Sequence, residues 1–315
     1  RFMKKILVTG ANGFVGTHLC PYLVEQGYSV RAALRHQPSD WPFGEQTVVG
    51  DISAETDWQP ALQGVDSVIH LAGRAHVMRE SSDDPLSLFR QVDGAGSLRL
   101  AEQAVAAGVR RLVYLSSIKV NGERSLAKPL AADDPASPED AYGQSKWEAE
   151  QALKGCLADT DTELVIVRPV LVYGAGVKGN LQSLARWIRK GVPLPLAQVD
   201  NRRSLVGIDN LLDFLQLCIE HPAAAGEAFL VADGEDLSTP QLIRMLAQAM
   251  GVKAKLFPVP ELMLRLLGRL SGRSAAIDRL CGDLQVDLNK NRRLLGWTAK
   301  RSVAAGLRDM VGGMD

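Results

Sequence analysis

Three features of the chain predict an α/β fold, a Rossmann-type doubly wound parallel sheet with a smaller C-terminal lobe. Short runs that are apolar throughout alternate with helix-period segments in the first half. A glycine-rich turn follows the first run, and the alternation weakens after about residue 170. Strands that are apolar on both faces belong to parallel sheets covered by helices above and below.

The individual elements follow in order. "KKILVTG" (4–10), "SVRAAL" (29–34), "TVVGD" (47–51), "SVIHLAG" (67–73) and "RLVYLSS" (111–117) read as buried strands, and "ELVIVRP" (163–169) as a sixth, ended by Pro169. Between them, 14–27 and 85–108 carry apolar residues at helical period and close on glycine. A further helix at 139–158 follows the loop 129–138. Beyond 170 we expect helices at 179–190, 209–220, 238–250 and 258–271, a strand at 228–232 that rejoins the sheet, and a proline-containing loop at 191–204. The expected division is a dinucleotide-binding core over 3–170 and a mainly substrate-binding lobe over 171–315, with a segment near 205–232 returning to the core. Arg1 and Phe2, ahead of Met3, are set aside.

Composition narrows the function. Lys+Arg and Asp+Glu are both 36, so the formal net charge is zero and no nucleic-acid partner is implied. The four cysteines are scattered without CxxC or metal spacing, which predicts a reduced, cytoplasmic protein with no metal site. No apolar run is long enough for an integral membrane segment, and no signal peptide is visible.

"VTGANGFVG" (8–16) sits between the first strand and the first helix, with Gly10, Gly13 and Gly16 in G-x-x-G-x-x-G spacing. Glycines there allow a tight turn and close backbone approach, and the helix N-terminus offers unpaired N–H groups to a pyrophosphate. Asn12, Phe14 and Val15 belong to the same loop. The second strand reads "SVRAALRHQPSD", with Arg31 and Arg35 and no acid before Asp40. An acid at that strand end would favour NAD, whereas a guanidinium suits the 2′-phosphate of NADP. NADP(H) is therefore favoured, with NAD(H) the alternative, and Arg35 is its candidate ligand. Asp51 and Ile52 are placed at the adenine, and Leu71, Ala72 and Gly73 near the pyrophosphate and ribose. His70 is read as a hydrogen-bonded strand residue rather than a catalyst.

"DAYGQSKWEAE" (140–150) puts Tyr142 four residues before Lys146, on one helical face. Ser116 and Ser117 end the fifth strand, at the sheet edge where ligands bind. Oxidation of an alcohol by hydride transfer also releases a proton. A phenol titrates near 10, and a neighbouring ammonium favours its ionised form, so Tyr142 is expected to be tuned toward working pH.

With "TGANGFVG", "GD" (50–51), "HLAG", "YLSS", Tyr142-x-x-x-Lys146, "RPVLVYGAG" (168–176) and the weaker "LLGW" (294–297), the chain resembles the extended short-chain dehydrogenase/reductases of the NAD(P)-dependent nucleotide-sugar epimerase/dehydratase group. That resemblance implies Ser117, Tyr142 and Lys146 as the catalytic trio, with Tyr142, Lys146 and Arg168 also touching the cofactor. It implies a UDP-sugar substrate held by Ser117, Asn180, Leu181, Arg202 or Arg203, and Arg279, the last on a loose alignment. Dehydratases carry an acid where this chain has Ile118 and Lys119, which disfavours dehydration.

The reading that follows is reduction of a UDP-4-keto-6-deoxy-N-acetylhexosamine in O-antigen biosynthesis, because "SSIKVNGE", "AYGQSKWEAE", "VKGN" and "NRRSLV" resemble a bacterial subgroup with that activity. The alternative is a UDP-hexose or UDP-N-acetylhexosamine 4-epimerase. A non-catalytic NADP-binding regulator is the remote alternative, set against the retained Tyr–Lys pair. Helices 85–108 and 139–158 suit a homodimer face as well as packing on the sheet. The amphipathic, basic stretch 257–280 is expected to pack on the lobe, with a pocket wall or a membrane contact as other uses.

Overall fold

A computed structural model describes residues 3–37, 40–73, 85–272 and 274–314. Its elements run β1 (Lys5–Thr9), α1 (Phe14–Glu25), β2 (Ser29–Leu34), β3 (Glu45–Val48), α2 (Gln59–Leu62), β4 (Ser67–His70), α3 (Pro85–Phe89), a π-helical segment (Arg90–Gly96), α4 (Ser97–Ala106) and β5 (Arg111–Leu115). They continue with α5 (Ala141–Leu157), β6 (Glu163–Pro169), β7 (Leu171–Tyr173), α6 (Asn180–Arg189), β8 (Leu205–Gly207), α7 (Ile208–Glu220) and β9 (Ala228–Val231). The last helices are α8 (Thr239–Ala249), α9 (Glu261–Leu270), α10 (Ser274–Cys281), α11 (Asn289–Leu295) and α12 (Val303–Gly312).

Seven strands form one sheet in the order β3-β2-β1-β4-β5-β6-β9, with every neighbouring pair parallel. The order reverses between β1 and β4, so the crevice at their carboxyl ends is the switch point where such folds bind ligands. The two-residue period of β1 explains the double cover. Ile6 and Val8 enter a core with Leu19, Phe214 and Phe229, while Leu7 enters the opposite core with Trp58, Leu100 and Leu153. The strand at 228–232 rejoins the sheet as β9, pairing Ile166 with Ala228.

Three differences from the sequence reading have physical causes. The single helix expected over 85–108 is three pieces, and its middle, with Gly94 and Gly96, winds as a π-helix. Gly96 passes so close to Ile52 that a Cβ would fall 2.5 Å from its methyl. A small second sheet of β7 and β8 lies outside the main one. It was hidden because Leu171–Tyr173 follows β6 after a single residue. The stretch 257–280 divides into α9 and α10, and α9 buries only Leu264 and Gly268. The lobe has its own core, built from Leu181, Ile188, Leu196, Ile243, Leu246 and Leu307 among others. "LLGW" ties the C-terminal region back to α7. The Trp297 ring meets Phe214 edge-on at 4.9 Å, and its N–H donates to Asp213 at 2.7 Å.

Candidate active site

The glycine loop closes β1 onto α1. Gly10 has φ 64°, and a Cβ there would lie 2.8 Å from the Ala72 nitrogen, so the loop can rest against the end of β4 only without a side chain. Helix α1 begins after Gly13 with no side-chain cap, which leaves the first-turn N–H groups beyond it open to a ligand. Ala72 N–H donates to Thr9 Oγ1 at 3.1 Å. Thr9 Oγ1 and Ser97 Oγ lie 2.6 and 2.8 Å from the two ring nitrogens of His70. Burial, then the Lys146 charge, pushes the His70 imidazole down to about 3, so it stays neutral and structural. Gly10 thus meets Leu71 and Ala72 at the end of β4, Gly13 and Gly16 crowd the Gly10 carbonyl, and Gly73 faces Asp93 and Lys146. A cradle of open amides that side chains would fill fits a dinucleotide.

At the second strand only one of the two arginines is available. Arg31 is spent on Glu45 at 2.7 Å and on the carbonyls of Ala61 and Gln63. Arg35 stands at the sheet's carboxyl edge with its side chain 65% exposed, paired with Asp51 at 2.9 Å. The Arg35 guanidinium is thus in direct contact with the carboxylate of Asp51, and the next residue, Ile52, packs on Gly96.

Helix α5 delivers Tyr142 and Lys146 to the same edge. Asp140 caps the helix by accepting from Gly143 N–H at 2.7 Å, and it also pairs with Lys119. Ser117 precedes the short 3₁₀ turn Ile118–Val120, and its hydroxyl oxygen accepts from Lys119 N–H at 3.2 Å. The Lys119–Asp140 pair thus locks the serine turn to the start of the tyrosine helix. Gly143 makes that contact close, since a Cβ there would lie 2.7 Å from Lys119 O. The Ser116 hydroxyl is occupied elsewhere, donating to Glu150 at 2.6 Å, which leaves Ser117 as the serine at the edge.

Lys146 is almost fully buried. Its Nζ lies 3.3 Å from Leu115 O and 3.3 Å from Asp93 Oδ1, over the Tyr114 ring at 4.9 Å and the Tyr142 ring at 5.8 Å. Burial works against its charge, but Asp93, with the two tyrosines, outweighs burial and holds the ammonium above its usual value. Tyr142 is partly open and packs edge-on to Phe89. Burial raises its phenol above 10, Lys146 pulls it down by less, and Asp93 adds to the rise. The expected tuning by Lys146 is present in sign, but burial outweighs it.

Arg168 corrects the sequence reading. It is buried, its Nε and Nη2 donate to the two oxygens of Glu150 at 2.8 and 2.5 Å, and its Nη1 donates to Asn121 and to Ala132 O. All three donor nitrogens are spent inside the core, so its guanidinium braces β6 against α5 instead of meeting a cofactor. Leu181 is likewise a core residue of the lobe, while Asn180 lies exposed at the first turn of α6. Arg203 Nη1 donates to Gly282 O at 3.0 Å, and Arg279 lies 3.8 Å from Glu123, which also pairs with Lys119. Burial lowers the Arg203 guanidinium, Glu123 opposes this, and Arg279 adds to the fall. The two arginines therefore share one acid within reach of the serine turn, an arrangement that an anion would stabilise. Arg202 is exposed, with its backbone N–H on Asp283.

The profile of the NAD-dependent epimerase/dehydratase family matches residues 6–232, from β1 through β9. The chain belongs to that family. A UDP-glucose 4-epimerase of Vibrio cholerae is 45% identical over 308 residues, covering 97% of this chain and 94% of that protein. An N-acetyl-α-D-glucosaminyl-diphospho-ditrans,octacis-undecaprenol 4-epimerase of Escherichia coli O157:H7 is 28% identical, covering 96% and 92%. Among solved structures, MoeE5 in complex with UDP-glucuronic acid and NAD has the same fold, with a TM-score of 0.78, 23% identity and 98% of both chains covered.

As a member of this family the chain is an enzyme of the extended dehydrogenase/reductase type. Within its site, the sequence reading did not include Asp93, whose position between Val92 and Gly94 gives no hint of burial. Nor did it include the Lys119–Asp140 lock, although Asp140 just ahead of an apolar-periodic run is a helix-cap signal.

Proposed function

We propose that the chain moves a hydride between a nicotinamide and C4 of a UDP-sugar. The supporting observation is the cluster of Tyr142, Lys146 and Asp93 beside the glycine loop, with Ser117 locked to the same helix. NAD(P), when bound, supplies the hydride acceptor or donor. In the oxidative direction the C4 hydrogen would leave as hydride while the hydroxyl proton passes to Tyr142 in its ionised, phenolate form; in the reductive direction hydride would return to C4 and the neutral phenol gives its proton to the oxygen. Ser117 holds the sugar oxygen, Lys146 keeps positive charge beside the phenol, and Arg203 with Arg279 binds the diphosphate.

The relatives' names support 4-epimerisation, in which the keto sugar turns over and receives the hydride on its other face. A second reading, single-pass reduction of a UDP-4-keto-6-deoxy-N-acetylhexosamine by NADPH, is favoured by Arg35 at the end of β2, where an acid would select NAD. The two readings separate in one assay. An epimerase interconverts UDP-hexose or UDP-N-acetylhexosamine epimers without net loss of NADPH. A reductase consumes NADPH stoichiometrically with the 4-keto sugar. In either case Tyr142→Phe should lower turnover by about 10²- to 10⁴-fold, and wild-type turnover in that variant would remove Tyr142 from the chemistry.

A further inference from the structure

Helix α9 presents an apolar face that nothing in the described chain covers. Leu262, Met263, Leu266, Leu267 and Leu270 are 80, 54, 55, 57 and 79% exposed on a helix of 10 residues. The helix is held by Leu264, which is buried in the lobe core, and by Gly268, against which Ile277 of α10 packs. Soluble domains scatter large exposed apolar residues singly; four leucines and a methionine on two and a half turns make a surface built for contact.

Its surroundings carry an excess of positive charge. Between 180 and 199 the chain has three basic residues and no acid, and between 249 and 281 it has six basic residues against Glu261 and Asp278. Both acids are paired with Arg265, and Arg279 lies 3.8 Å from Glu123 on the substrate side, so the local excess rests on the other basic residues, Lys253, Lys255 and Arg269 among them. The chain as a whole is formally neutral, so the excess is local. The two segments are also joined in space. Leu194 N–H donates to Lys255 O at 2.8 Å and Phe257 N–H to Leu194 O at 3.1 Å, while Val192 N–H donates to Trp187 O at 3.0 Å. Trp187 and Phe257, 52 and 43% exposed, thus stand on two segments held together by these bonds, Phe257 four residues ahead of α9 and beside Lys255.

An amphipathic helix with a leucine face, flanking aromatics and surrounding Lys/Arg is the pattern of a segment that lies in the plane of an anionic bilayer. Among the described residues no helix is long and apolar enough to cross one. We infer that α9, with Trp187, Phe257 and the basic residues around them, docks the enzyme onto an anionic lipid surface, leaving the sheet edge with Tyr142 to its chemistry. A second copy of the chain would bury the leucines but would set the two basic surrounds against each other.

The test is co-sedimentation of the full-length protein with vesicles of phosphatidylglycerol and phosphatidylethanolamine, and with phosphatidylcholine vesicles in parallel. Binding to the anionic vesicles should be at least about tenfold tighter than to phosphatidylcholine and should weaken with salt. Leu266→Glu/Leu267→Glu should lower it by at least about tenfold, with melting temperature and turnover of soluble substrate unchanged. Lys253→Glu/Lys255→Glu should remove most of the salt-dependent part. Failure of folded wild type to bind anionic vesicles would overturn the inference, as would binding that ignores both pairs of substitutions. A wild-type dimer that the leucine pair dissociates, without vesicle binding, would assign the face to a second copy instead.

Discussion

Asp93 is fully buried, neither of its oxygens has a hydrogen-bond donor, and the ammonium of Lys146 is 3.3 Å away. Such a carboxylate raises the proton affinity of both its neighbours, Lys146 and Tyr142. Asp93→Asn keeps the shape and removes the charge, so both groups should lose protons at lower pH. We predict that both limbs of the kcat/KM pH profile move to lower pH in this variant, and an unmoved profile would show Asp93 to be merely structural. His70 gives a stability prediction with a definite sign. It stays neutral in the folded state, with its imidazole pushed down to about 3, whereas unfolded chains take up a proton near 6.5. Its stabilisation is complete above about 6.5 and falls as pH drops toward 3, at about 1.4 kcal/mol per pH unit. Denaturant unfolding at pH 7.5 and pH 5 should therefore differ by about 2 kcal/mol from this residue, and the difference should shrink in His70→Gln. Tyr142, Lys146 and the glycines were legible because their chemistry fixes their spacing. Arg168 was misread because its partner Glu150 is 18 residues away on another element, and nothing local marks the pair.

At the scale of elements, α5 works because its first turn is pressed onto the serine turn. Gly143→Ala would place a methyl 2.7 Å from Lys119 O and drive Tyr142 away from Ser117. We expect a loss of about 1–3 kcal/mol in stability from the overpacked contact. Turnover, measured where the protein remains folded, should fall more than about tenfold, as positioning errors of this size do. A variant with lowered stability and wild-type turnover would show that the lock does not position the trio. The strands of the sheet were legible from continuous apolar runs, and α1 and α5 from period and boundary residues. The break in 85–108 was not, because a π-helical turn keeps nearly the same apolar spacing while shifting the face. That shift carries Asp93 inward to Lys146. The lobe was only partly legible. Its helices α6 to α9 show period, but β7 and β8 are three residues each, too short to leave a pattern.

The whole molecule combines a sheet whose switch point faces one crevice with a lobe that brings Arg203 and Arg279 within reach of it. Overall neutrality in the sequence concealed a lobe surface that is basic around α9, because the balancing acids lie elsewhere in the chain. Family membership was legible in the first 176 residues through the order of the motifs, whereas the direction of net reaction was not. Epimerase and reductase use the same Ser–Tyr–Lys set and differ in whether the keto sugar stays and turns over. Both readings require hydride to pass between nicotinamide and C4. The most direct measurement is therefore a single turnover of the purified enzyme with UDP-4-keto-6-deoxy-N-acetylglucosamine and nicotinamide cofactor deuterated at its hydride position, in NADPH and NADH forms, read by NMR. One deuterium is expected at C4 of the sugar, delivered faster from NADPH, with that transfer lost in Tyr142→Phe. Folded, cofactor-bound protein that leaves C4 unlabelled, or that places the deuterium at another carbon, would contradict it.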